Sequence, residues 1–150
     1  MELEKYSVIK DPDNFVFKFY SEGPRGKIKK VVIFRHARKF GENVFNLAFG
    51  DQHELPDQIN DVAISNNNDP IKVLNTVALT VVDFIEKRPN AIILIEGSTL
   101  SRTRLYQMRI SFHWLEISEY YEVYGEYGKK WLPFQKGVNY KRFLVFKKNQ

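Results

Sequence analysis

The sequence predicts an α+β fold, with antiparallel β-meander in its N- and C-terminal parts and two helices packed on one sheet. Three observations carry this. Aromatic and β-branched residues gather in short runs near both ends, as in Phe15 to Tyr20 (FVFKFY) and Tyr140 to Phe146. A helical apolar period runs through Leu74 to Ile85. Ala91 to Ile95 is continuously apolar, the pattern of a central buried strand. At 150 residues the chain is expected to form one domain spanning 1–150, since chains of this size bury roughly 70% of their unfolded surface.

Tyr6 to Ile9 and Phe15 to Tyr20 read as strands, and Glu22-Gly23-Pro24-Arg25-Gly26 breaks the chain into a turn. Lys27 to Phe34 then pairs back as a hairpin, and Val44 to Phe49 follows a second break. Lys27, Lys29, Lys30 and Arg35 are expected on an exposed strand face or edge, where lysines discourage aggregation. Asp69 is a good helix N-cap and Pro70 suits the first helical position. Leu74, Val77, Ala78, Val81, Val82 and Ile85 fall on one face of the helix that follows, and Pro89 stops it. A second helix is expected from Thr99 to about Glu119, before β character returns at Tyr120 to Tyr124, Trp131 to Phe134 and Tyr140 to Phe146.

The chain has no cysteine, which excludes disulfides, thiolate zinc sites and cysteine nucleophiles. It shows no signal pattern and no apolar run long enough to span a membrane. A cytoplasmic protein with no membrane partner and no cofactor is expected. The net charge of +5 is segregated. Arg25 to Lys39 holds seven basic residues and no acidic one, Glu42 to Asp69 six acidic and no basic, and Tyr127 to Lys148 seven basic and no acidic. Such blocks can steer an anionic partner, or they can be the solvated faces of neighbouring strands.

Chemistry converges best on Glu96 to Arg109 (EGSTLSRTRLYQMR). A strand end, a Gly97-Ser98-Thr99 turn and a helix start present unpaired N–H groups at the positive end of a helix dipole, which attracts phosphate or carboxylate. Arg102, Tyr106, Arg109 and His113 fall on one narrow helical face. Leu105, Met108, Phe112 and Leu115 flank it on one side, and Ile110, Trp114 and Ile117 on the other, so the helix is expected to be packed in, with its polar strip opening onto a groove. Gly97, Ser98, Thr99, Arg102, Tyr106 and Arg109 are the candidate anion-binding residues. The structural alternative is a capped helix whose arginines pair with acids such as Glu96 or Glu116. Glu96 could act as a general acid or base, but a buried ion pair with Arg102 or Arg104 is the simpler reading.

Other patterns carry less. His36, His53 and His113 show no metal spacing, and Asp51, His53 and Glu54 read first as an exposed acidic turn. Ser98 and His113 lie too far apart along a helix to form a nucleophile and base. Tyr120, Tyr121, Tyr124, Tyr127, Trp131 and Tyr140, interleaved with lysines, could stack single-stranded nucleic acid, although core and cross-strand pairing is the plainer role.

Five segments, GPRGKIKKVV (Gly23 to Val32), NLAFGD (Asn46 to Asp51), VLNTVALTV (Val73 to Val81), GSTLSRTRLYQMRI (Gly97 to Ile110) and PFQKGVNYKRFLV (Pro133 to Val145), carry a resemblance over nearly the whole chain. In these the sequence resembles an uncharacterised Bacteroidetes family of single-domain proteins of about this length, a domain of unknown function. It departs from the family at Leu100, where proline is expected in the turn. The resemblance implies a stand-alone bacterial protein and transfers no activity, substrate or site residue. The expected function is a binding or interaction module that engages an anionic partner, nucleic acid among the candidates, through the basic helix N-terminus. The alternatives are an enzyme acting on a phosphorylated or carboxylated small molecule at the Glu96 to Thr99 turn, and a homo-oligomeric or protein–protein interaction domain.

Overall fold

The computed structural model describes residues 4–52, 59–60 and 67–149. Its architecture is α+β, a mixed sheet with three helices. The chain divides into two compact units, one formed by Met1–Arg35 and Ala48–Phe84, the other by His36–Leu47 and Ile85–Gln150.

In the first unit β1 (Ile9–Lys10), β2 (Val16–Gly23) and β3 (Gly26–His36) pair antiparallel in sequence order. The expected turn closes the β2–β3 hairpin, with Gly23 opposite Gly26 and Gly26 at φ 84. That left-handed value favours glycine. β3 neighbours β4 (Val44–Gln52), which pairs antiparallel with β5 (Ile59–Asn60). Lys30 corrects one expectation. It is buried and ion-paired with Asp51, unlike the exposed Lys27 beside it. β3 is buried continuously from Lys30 to Phe34, so a lysine in that run requires a carboxylate partner.

Helix α1 spans Pro70–Lys87, so Asp69 stands at the N-cap position and Pro70 begins the helix. Its buried face is rotated from the one the apolar residues alone suggest. Ala78 and Val82 are exposed, whereas Val73, Thr76, Val77, Thr80, Val81, Phe84 and Ile85 are buried. Two threonines can lie there because their hydroxyls bond back to helix carbonyls, Thr76 to Lys72 O at 2.7 Å and Thr80 to Val77 O at 2.6 Å. Phe84 stacks on Phe34 with ring centroids 4.3 Å apart and meets Phe15 edge-on at 5.6 Å. The segment entering α1 is held by side chains from β2 and the N-terminal strand region. Tyr6 Oη and Ser21 Oγ donate to Asp69 Oδ2 at 2.5 and 2.6 Å. Buried Asn67 donates to Ser21 Oγ and Gly26 O, and accepts from Arg25 N.

The second unit orders its strands β4, β6 (Ile92–Ile95), β9 (Phe143–Lys147), β7 (Tyr121–Tyr127) and β8 (Lys130–Pro133). β6 is the buried central strand expected, but its pairing with β4 is parallel, which a pure meander does not contain. A parallel neighbour needs a long crossover, and α1 lies between β4 and β6 in the chain. The remaining pairs are antiparallel. The expected second helix is interrupted at His113, giving α2 (Leu100–Phe112) and α3 (Trp114–Tyr120). Phe134, Tyr140 and Phe143 form the aromatic core of this unit, and Trp114 of α3 rests on Phe134 at 4.8 Å. Among the described residues no helix is long and apolar enough to cross a membrane.

Candidate functional site

The turn from β6 into α2 is a tight corner. Thr99 is the N-cap, its Oγ1 accepting from Arg102 N at 3.2 Å. Thr103 locks the corner from one turn further on, accepting from Gly97 N at 2.9 Å and donating to Thr99 O at 3.2 Å. Gly97 is required by closeness, since a Cβ there would stand 2.5 Å from Thr103 N and 2.8 Å from Arg102 C. Gly97, Ser98, Thr99 and Arg102 all lie within this corner. The corner has already used the N–H groups of Gly97 and Arg102 internally. Ser98, Thr99, Leu100 and Ser101 remain exposed at the positive helix end, and the first turn carries no acidic residue.

The arginines differ in exposure and in partners. Arg102 is buried, at 6% exposure. Tyr106 and Arg109 are half-buried further along α2, Arg109 about 10 Å beyond Arg102 along the axis. Arg104 donates to Gln107 Oε1 at 2.7 Å and to Tyr140 O at 2.9 Å. Gln107 in turn donates to Val138 O at 2.5 Å and accepts from Tyr140 N at 3.3 Å. These contacts fasten α2 to the segment before β9. Glu96 pairs with neither Arg102 nor Arg104. Its partner is Arg142, 3.6 Å away, which also bonds Glu126 at 3.1 Å and covers the Phe40 ring at 5.1 Å. That partner comes from a distant strand approach, where local spacing gives no clue to it.

The inward face of α2 and α3 consists of Arg102, Thr103, Gln107, Ile110 and Trp114. The opposite apolar row is not packed in. Leu105, Met108, Phe112 and Leu115 are 43, 64, 74 and 85% exposed. The sequence pattern suggested that both apolar rows would be packed in, and this one is not. Its spacing of three, four and three residues has the same helical period as the inward Ile110, Trp114 and Ile117, so the sequence held no signal that set this row apart.

Arg109 Nη2 lies 2.8 Å from His113 Nε2 at the α2–α3 junction. A guanidinium only donates, so the imidazole must be neutral and accept at Nε2. Burial, then the Arg109 charge, holds His113 below its ordinary 6.5, with Glu116 pulling the other way. The native state therefore binds fewer protons than the unfolded chain. The contribution of His113 to stability is complete above pH 6.5 and is lost as pH falls through the depressed folded value. Urea unfolding between neutral pH and about pH 5 is expected to show a steeper loss for the wild type than for His113→Gln. Parallel slopes would remove His113 from this role.

Elsewhere the tail aromatics divide. Tyr140 is core, Tyr124 stacks on Phe146 at 5.9 Å, and Tyr120 and Tyr127 are exposed. They do not form one stacking surface, because Tyr140 is enclosed. His53 and Glu54 of the acidic turn lie outside the described residues. Among the described residues no three His, Asp or Glu side chains converge as a metal site.

Residues 2–148 match the Family of unknown function (DUF6934), and the chain belongs to that family. No curated protein and no solved structure matches it.

Proposed function

We propose that this member of the DUF6934 family is a protein-interaction module that engages its partner through the outer face of α2 and α3. The observation that carries this is the exposed row Leu105, Met108, Phe112 and Leu115. Leaving large apolar side chains in water forgoes about 25 cal/mol for each Å² that could be covered, and contiguous patches of this kind mark interaction surfaces. Behind the row, the Thr99 cap and the Arg104–Gln107–Tyr140 hydrogen bonds hold α2 in place, so the face is preorganised. Preorganisation lowers the entropic cost of binding. A photo-crosslinking amino acid at Phe112 is expected to trap a protein in the native cells, while the same group at exposed Lys141 traps none. Equal yields at both positions, or none at Phe112, would end this reading.

A second reading keeps the anionic partner. It is supported by the exposed Ser98, Thr99, Leu100 and Ser101 at a helix start free of acidic residues, together with the segregated basic runs. Because Arg102 is buried, an Arg102→Ala variant tests stability as much as binding. The cleaner test follows the backbone amide signals of residues 98–101 during titration with short single-stranded RNA at two salt concentrations. Salt-sensitive shifts confined to those amides support the reading, and unmoved amides at low salt oppose it. Catalysis at the same turn would call on Glu96, whose carboxylate is engaged by Arg142.

A further inference from the structure

We propose that the sheet end formed by the β7–β8 turn and the approach to β9 docks single-stranded nucleic acid, with Tyr127 stacking a base and Lys129, Lys130 and Lys141 meeting the flanking phosphates. The inference rests on the reading of an anionic partner. It adds the class of that partner and the residues outside α2 that meet it.

The first argument is the placement of the ring. β7 and β8 are joined by the two-residue turn Gly128-Lys129, with Gly128 at φ 65. A turn of this length fixes the register of the strands it joins, and Tyr127 stands directly opposite Lys130. Side chains of such a pair share one face of the sheet, with Cβ atoms about 5 Å apart. Tyr124 stacks on Phe146, and Tyr140 is enclosed by Phe134 and Phe143. Tyr127 is 57% exposed, and among the described residues its ring packs against no other ring. A flat ring with an open face at a fixed hairpin end can stack a base of any sequence, because every base has a π-face.

The second argument is charge. Glu96 and Glu126 stand at this end of the sheet, and Arg142 engages both carboxylates. Lys129, Lys130 and Lys141 are exposed, and among the described residues none of them has a carboxylate partner. The N–H of Lys141 donates to Glu126 O at 2.9 Å, which brings this third lysine alongside the end of β7. From Tyr127 to Lys148 the chain contains no acidic residue, so the positive potential around the ring is not cancelled locally.

The third argument is the pairing of these two features. An acidic protein surface would use the lysines and leave the ring in water. A duplex offers phosphates but keeps its base faces stacked inside. An unpaired strand presents phosphate and base face together, the combination that basic grooves with aromatic platforms bind.

The test is fluorescence anisotropy of short labelled single-stranded RNA and DNA with the full chain at two salt concentrations. Tyr127→Ala is expected to weaken binding about five-fold or more, and Tyr127→Phe, which keeps the ring, to preserve it. Lys130→Ala and Lys141→Ala should each flatten the dependence of log affinity on log salt by about 0.7, the share of one phosphate contact on a single strand. Circular dichroism should be unchanged in all four variants, since every substituted side chain is exposed. Wild-type affinity in Tyr127→Ala would overturn the proposal. So would a duplex bound as tightly as the single strand, or polyglutamate competing as well as RNA. Amide shifts on RNA addition separate this inference from the reading beneath it. Shifts at residues 127–130 and 141 support it. Shifts confined to residues 98–101 leave an anionic partner at the helix start and remove this surface, and no binding at low salt ends both.

Discussion

Phe84→Ala is expected to cost about 3–5 kcal/mol of stability, read as a lowered midpoint of urea unfolding at unchanged slope. Phe84 is fully buried, stacked on Phe34 at 4.3 Å and edge-on to Phe15 at 5.6 Å. Truncation removes the ring from both contacts, and the surrounding strands can only partly close the cavity. The comparison that isolates burial is Val82→Ala on the same helix, where the side chain is exposed. That variant should stay within about 0.5 kcal/mol of the wild type. A loss at Phe84 no larger than that at Val82 would show that burial does not set the effect, since alanine is the better helix former at both positions.

Gly125→Ala is expected to destabilise by about 1–3 kcal/mol through overpacking. A Cβ on Gly125 would stand 2.3 Å from two atoms of the Tyr140 ring. The ring cannot swing away. It is 1% exposed and bounded by Phe134 and Phe143, and its hydroxyl accepts from Gln135 N at 2.9 Å. The same residue receives Arg104 at its carbonyl and offers its N–H to Gln107, so displacing Tyr140 would also loosen the seat of α2 and with it the proposed binding face. A double-mutant cycle checks the steric cause. In a Tyr140→Leu background, the added cost of Gly125→Ala should largely vanish. Simple additivity would mean that the glycine acts through backbone freedom instead.

Local chemistry was legible in the chain. Gly23 to Gly26 announced the hairpin, Asp69-Pro70 and Pro89 bracketed α1, the apolar run marked β6, and Thr99 proved to be the cap of α2. Each of these depends on residues within a turn or two of one another, so spacing alone carries the information. Periodicity became ambiguous where the helix offered two apolar rows. On α2 and α3, Ile110 and Trp114 face inward and Phe112 and Leu115 face water, and nothing in the pattern ranks one row above the other. The choice is made by what waits on the inner side, including Phe134 beneath Trp114 and the Tyr140 backbone beside Gln107. Long-range pairing was hidden for the same reason. Glu96 with Arg142, Lys30 with Asp51 and Asn67 with the β2–β3 turn join charges and amides that are far apart in the chain. The sequence by itself determined where elements begin and end and which faces could be apolar, because those are short-range steric and hydrogen-bonding preferences. Only the tertiary structure decided which apolar row is buried and which acid each cation finds, because burial is a property of the surroundings that other segments supply.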